Sequence, residues 1–494
     1  MTESNAITSG RRQQDNPAGV SQALYRKVDS TRCRQISVSR HRHARHRGVA
    51  FVWVAVFWLL LVFLVGLSLD TAKVRLVAHQ LQNAADAAAL AGGPLVKTDR
   101  YAARMQAIAI GFENFADQER VQLAANEDNI PQGDIVVGWY NRRTQTFTPM
   151  VDATEAVNAL KVVARRTEPT EYSPGGAGPV PLNFGPIVHV DTSSVARHAI
   201  AMSIGGAGAG LIALTDTGTG LYMNGNFTLH VNTIPPAVPG DGEIMVNSGS
   251  VNATAIDGKS IQIDASALNV YGDIDESPGY EFTVPYSTGV PPIQDPLGWL
   301  PEPTWDPSTD LTPDGNTITI SSGEATFGPG YYSGGFDIGG GTVTLTPGIY
   351  ILGGGNQDKG GLVIGGDANF YADGVMFFIT DNGKADMRGS GAIHTSPIDF
   401  ERFSYPPDVP AHYQGTTVFQ SRQNTNEAYI KGTGLLDLEG TLYFPRNHVN
   451  IRGEGDGFGN QLIAWSLDIR GSGDIGIDYD GRNRDLPTGS FLVE

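Results

Sequence analysis

The chain has 494 residues, a net charge of −18 and a single cysteine, Cys33. One cysteine excludes an intrachain disulfide, so packing and backbone pairing must hold the fold. The length leaves room for two domains beyond any N-terminal element.

Residues 1–47 form a basic tail, with ten Arg or Lys against Glu3, Asp15 and Asp29. Arg40, Arg42, Arg45 and Arg47 stand nearest its end. From Gly48 to Leu69 follow 22 residues without a charge. As a helix at about 1.5 Å per residue they cover about 33 Å, enough for a bilayer core. Fifteen of them are Leu, Val or Phe, and at about −0.4 kcal/mol each they favour insertion by at most roughly 6 kcal/mol. The expected anchor residues are Gly48, Phe51, Trp53, Leu60, Leu64 and Leu69. Positive residues stay cytoplasmic, so the tail is expected inside and the acidic remainder exported, periplasmic or surface-exposed. A cleaved signal peptide is the alternative. Against it, the apolar core is longer than a usual signal core and no Ala-x-Ala exit precedes Asp70 and Lys73. His41, His43 and His46 among the arginines invite a metal or nucleic-acid reading. Their place against the span favours a topology signal touching lipid headgroups, with no nucleic-acid partner.

Beyond Asp70, Val74, Val77, Leu81, Ala84, Ala88 and Ala91 fall on one helical face, with Lys73, Arg75, Gln80, Gln82 and Asp86 around them. The stripe turns from Val and Leu to Ala, which lets a neighbour approach closely. It packs either on the chain's own first exported domain or along a partner helix, with Leu81, Ala84 and Ala88 at the contact. Gly92, Gly93 and Pro94 end the helix.

The run Arg47-Gly48-Val49-Ala50, the span, Leu69-Asp70 and the string from Gln80 through Asn83-Ala84-Ala85-Asp86 to Gly92 resemble the N-terminal signature of TadE/TadG-like proteins. These belong to the bacterial tight-adherence (Flp, type IVb) pilus-assembly system. The resemblance covers about 50 residues. It implies an inner-membrane protein, inserted by one helix, whose partners are other Tad pilus-assembly proteins. Prepilins of this system carry a glutamate five residues after the cleavage-site glycine. Counted from Gly48 that position is Trp53, so the uncleaved TadG-like branch fits better than a pilin.

Residues 98–204 read as a small α/β domain. Tyr101–Leu123 has helical character, Asp134–Trp139, Thr146–Met150, Ala159–Arg165 and Val195–Ile204 are strand-like, and Val151–Ala159 is a candidate short helix. The pattern resembles the small periplasmic domain of TadE/TadG-like proteins. His189 and His198 have no acid cluster nearby and read as ordinary strand histidines. Gly205–Gly210 reads as a flexible junction.

From residue 211 to 494, Gly, Thr, Asn and β-branched residues dominate. Met387-Arg388-Gly389-Ser390-Gly391, Ile430-Lys431-Gly432-Thr433-Gly434, Ile451-Arg452-Gly453-Glu454-Gly455 and Ile469-Arg470-Gly471-Ser472-Gly473 share one pattern. Their spacings of 43, 21 and 18 residues are roughly two, one and one units. Such short β-rich units bury an apolar face only by stacking. The expected fold is an all-β right-handed parallel β-helix, a solenoid, interrupted at 287–313 where Pro291, Pro292, Pro296, Pro301, Pro303 and Pro307 forbid central strands. The interruption is expected to wrap the solenoid's outside. A β-sandwich is the runner-up and leaves the spacing unexplained. Gln294–Pro301, Gly328–Gly335 and Thr346–Ile351 also resemble C-terminal regions fused to some TadG-like proteins.

Parallel β-helices often bind or cleave polysaccharides. A lyase would need a base beside carboxylates. Asp474, Asp478 and Asp480 with Arg482 and Arg484 are the best set, and Glu401, Arg402 and His412 a weaker one. An acidic outer face with solvent-facing caps explains the first set without chemistry. The reading is a non-enzymatic envelope protein of pilus assembly, anchoring or adhesion, without catalytic residue, cofactor or metal. A membrane-tethered polysaccharide-binding or polysaccharide-cleaving protein is the alternative, with surface polysaccharide as its partner.

Overall fold

The computed structural model describes residues 47–150, 156–205, 208–238, 240–356, 359–380, 382–407, 409–433, 435–454, 457–484 and 489–493. Cys33, Arg40, Arg42, Arg45 and the three tail histidines lie outside the described residues, as does most of the candidate helix at 151–159. The chain divides into two units, residues 1–62 and 63–494.

One helix, α1 (Arg47–Gly92), carries the apolar stretch. In the first unit all its described side chains are exposed. In the second unit Val77, Ala78, Leu81, Ala84, Ala85, Ala88 and Ala89 are buried, at the three-and-four spacing of one helical face. A tight turn through Pro94 leads to α2 (Arg100–Glu113), whose N-terminus is capped by the Asp99 carboxylate accepting the Ala102 N–H at 2.8 Å. A Cβ on Gly92 would lie 2.5 Å from the Ala103 carbonyl, so glycine is what lets the two helices meet so closely. The helix expected to reach Leu123 stops at Glu113, and Phe115–Ala116 and Glu119–Arg120 form a small hairpin instead. Asp117 and Gln118 turn it with positive φ.

Both helices cover one five-stranded antiparallel sheet. Its spatial order is Gly489–Leu492, Val195–Ile204, Ala159–Arg166, Ile135–Asn141, Thr146–Pro149. The first of these comes from the far end of the chain. It covers the edge that Val195–Ile204 would otherwise leave unpaired.

Between Ala209 and Tyr479 the strands pair in parallel, most of them in three ladders. The first runs from Tyr286–Thr288 through Ala209–Ala213 to Gly330–Tyr332. The second runs from Ile274–Glu276 through 221–224 to Ile318–Ile320. The third starts at Glu324–Phe327 and passes through Thr342–Leu345 and Asn369–Ala372. The four repeat motifs stack in the second ladder: Met387 registers with Ile430, Ile430 with Ile451, and Ile451 with Ile469. All four aliphatic side chains are fully buried in one continuous apolar core between the ladders.

Spatial order departs from chain order. Leu221 pairs with Thr254 on one side and with Leu467 on the other. The stack therefore begins in its middle, grows one way to Thr288, restarts at the opposite end near Ile318, and returns until its last strand closes on its first. Ten strands at about 4.8 Å make a stack of roughly 43 Å. The proline-rich stretch after Thr288 is the connection along that length. It lies on the outer side of the first ladder, where Val290, Leu297 and Leu300 pack with Met245, Phe378, Phe419, Tyr443 and Ile463. Proline denies it ladder bonds, and side chains hold its backbone instead. Asn247 bonds both backbone groups of Ile293 (3.0 and 2.8 Å), and Arg422 donates to the carbonyls of Leu297 (2.9 Å) and Leu300 (2.8 Å).

The described residues of the glycine junction are packed rather than loose. Gly208 lies against the Tyr479 ring, and a Cβ on Gly210 would sit 2.5 Å from Val231. Close approach, not flexibility, is what these glycines serve.

Candidate functional site

The site is built where α1 leaves its apolar stretch. Asp70 is buried, and its carboxylate accepts the backbone N–H groups of Asn183 (2.9 Å), Phe184 (2.8 Å) and Gly185 (2.7 Å). One turn earlier, a Cβ on Gly66 would lie 2.5 Å from the Phe184 ring. Gly66 and Asp70 share a helix face, so the same loop covers both. The Lys73 ammonium follows, donating to the Pro181 carbonyl at 2.9 Å and pairing with Asp117 at 3.2 Å. Leu69-Asp70, part of the resemblance signature, thus clamps the first domain to the helix.

Of the expected anchor residues, Gly48 lies in α1, and Phe51 (76 % exposed), Trp53 (69 %), Leu60, Leu64 and Leu69 all face outward. Leu81, Ala84 and Ala88 have no exposure at all. They pack with Ala103, Ala107, Leu160, Val162 and Ala199 of the chain's own domain. In this fold α2 and the sheet occupy the close approach that alanine permits.

The residues considered for chemistry are dispersed, and most of them are paired. Asp474 stands 3.7 Å from His230, Asp478 accepts from Asn232 at 3.0 Å, and Arg484 pairs with the buried Asp241 at 2.9 Å. Asp480 does not belong to a solvent-facing acidic surface. It is buried beside Arg482 at 2.9 Å, where the chain turns out of its last strand. Arg402 pairs with Glu439 at 3.0 Å, and His412 packs edge-on against Tyr413. His189 is no strand histidine. It closes the short 3-10 helix Gly185–Val188 in the left-handed region, at φ 62°.

Three arrangements escaped the sequence reading. His394 bridges Asp437 (2.8 Å) and Asp373 (3.0 Å) on the third ladder's outer face. Burial pulls its pKa down, but the hydrogen bonds and charges of the two aspartates outweigh that and hold it above the usual value. Both ring nitrogens are engaged, so the residue acts as a clamp between stacked strands. Lys97, just past α1, pairs with Glu243 of the first ladder at 3.0 Å, both side chains buried. Burial pushes the Glu243 carboxyl up, against the pull of Lys97 and of Asn269. A cleft of about 600 Å³ between the proline-rich connection and the loop around Val409 is lined by Trp305, Tyr331 and His412. None carries a local motif, since each joins residues distant in sequence. Among the described residues no three His, Cys, Asp or Glu converge as a metal site.

Residues 48–104 match the Tad family model, described as Flp pilus-assembly, TadE/G-like. This stretch comprises nearly all of α1, the turn at Pro94 and the start of α2, and it carries a TadE/G-like domain. No curated protein and no solved structure matches the chain.

Proposed function

We propose that this chain is a membrane-anchored, non-enzymatic envelope protein that acts with other Flp/Tad components in pilus assembly, anchoring or surface adhesion. The observation that carries the reading is the coincidence of the TadE/G-like match at 48–104 with the one described helix long and apolar enough to span a membrane. The basic tail before that helix supports an N-terminus in the cytoplasm and an exported C-terminal region, periplasmic or at the cell surface. The three parallel ladders around one core support a right-handed parallel β-helix. The pairing of Asp474, Asp480, Arg482, Arg484 and Arg402 supports a non-enzymatic role.

The test is protease accessibility of a chain tagged at both termini, on intact cells and then on spheroplasts. A protected N-terminal tag with a C-terminal region digested only in spheroplasts supports a periplasmic assembly role. Digestion in intact cells makes adhesion the leading role. A digested N-terminal tag in spheroplasts overturns the orientation. Unaltered Flp pili in a strain lacking the protein would overturn the assembly role.

A further inference from the structure

The hairpin that clamps Asp70 continues past the helix. Val180–Pro181 pairs antiparallel with Thr192–Ser193. The tip between these strands winds into the 3-10 helix Gly185–Val188. It is internally bonded, with the Val190 N–H donating to the Gly185 carbonyl at 3.1 Å and the Leu182 N–H to the Asp191 carbonyl at 2.9 Å. The tip is therefore a shaped element. Yet it leaves Ile187 64 %, Val188 46 % and Val190 49 % exposed. Three aliphatic side chains within four residues, unpartnered on one short tip, ask for an apolar neighbour.

The depth of the tip is set by the helix. Phe184 packs on Gly66, which precedes the end of the uncharged stretch at Leu69 by three residues, or about 4.5 Å along the axis. Around it α1 shows the features of a lipid-facing helix: Leu64, Val65 and Leu69 are exposed, and the Ser68 and Thr71 hydroxyls bond back to the carbonyls of Leu64 and Leu67. The first charge after the stretch, Asp70, is covered by the loop's own N–H groups. Lys73, the next, is held by Pro181 and Asp117. Nothing charged on α1 therefore separates the tip from the apolar stretch.

We infer that the tip Phe184–Val190 is a second membrane contact, in which Ile187, Val188 and Val190 enter the apolar edge of the bilayer beside α1. The inference rests on the reading of α1 as a membrane anchor. The tip fixes the first domain against the membrane surface at two points, where a lone helix leaves it free to swivel.

The test uses the full chain in phosphatidylcholine–phosphatidylglycerol vesicles, with Cys33→Ser as background. An environment-sensitive fluorophore is attached at Val188→Cys, at Leu64→Cys or at Val251→Cys, and quenching by spin-labelled lipid is measured. The expected result is quenching at positions 188 and 64, severalfold above that at position 251, an exposed site on the β-rich region. Quenching at 64 without quenching at 188 overturns the inference and leaves the anchor reading intact. Quenching at neither overturns both. A second variant, Ile187→Asp with Val188→Asp, is expected to leave membrane retention unchanged and to speed proteolysis at the tip in vesicles. Unchanged tip proteolysis in this folded variant also overturns the inference.

Discussion

The two halves of α1 are both apolar and are used in opposite ways. Up to Leu69 the helix carries Phe, Trp, Leu and Val, and of these side chains all but Phe63 and Leu67 are exposed. Beyond Val77 it carries mainly alanine on its packed face, and those side chains are fully covered by α2 and the sheet. Side-chain size, more than hydropathy, selects the neighbour. Large side chains hold protein backbones apart and suit a fluid apolar solvent. Small ones allow backbones to close on one another, as Gly92 does against Ala103.

The contrast is broken most severely by charging the exposed half. Leu60→Arg with Leu61→Arg adds about 6 kcal/mol, which cancels the whole favourable figure for insertion. The full chain is then expected in the supernatant of alkaline carbonate extraction; retention in the pellet would mean that these residues do not meet lipid. Next comes a charge that the packed region tolerates because it has a partner. Lys97→Met leaves the buried Glu243 without its cation, with only the Asn269 hydrogen bond, and is expected to destabilise the second unit by about 3–5 kcal/mol. Adding Glu243→Gln is expected to restore most of this, as read by denaturant unfolding in detergent. An additive double variant would show that the pair is not coupled.

Ala88→Leu overpacks a fully buried position and is expected to cost about 1–3 kcal/mol. The reverse exchange in the outer half, Leu60→Ala, should leave the melting temperature of the β-rich region unmoved. Equal shifts from both would erase the distinction between the halves. The least effect is expected on the third ladder, where the outer face meets water. The folded pKa of His394 lies above the usual value, so its contribution is complete below about pH 6.5 and is lost as the pH rises through that higher value. The stability gap between wild type and His394→Asn should therefore narrow on going alkaline. A gap that stays constant would show that the two aspartates do not set it.

Much of the β-rich region was legible in short strings. The aliphatic-basic-Gly-x-Gly motifs fall in one column because each returns the chain to the same point of the ladder. The run Val375–Ile379 is apolar throughout, and the structure explains why. Its inner face lines the ladder core, while Met376 and Phe378 on the outer face meet the cluster beneath the proline-rich connection. The polar outer residues of the third ladder, such as His394 and Asp437, have no such cover. For the candidate site the strings Leu69-Asp70 and Asn83–Ala91 marked the right helix. They did not reveal that Asp70 grips residues 183–185, over a hundred positions away.

Sequence alone determined the apolar helix, the tail's charge, the proline-rich break and the repeat, because each is a local pattern of hydropathy, charge or backbone freedom. Tertiary structure alone decided which surface covers the alanine stripe and where the stack begins. It also decided that Gly489–Leu492 completes the first domain's sheet and that Asp480 is buried. Those outcomes depend on pairings between segments far apart in the chain. Any edge strand or apolar face offers several sterically acceptable partners, and only the assembled whole selects among them.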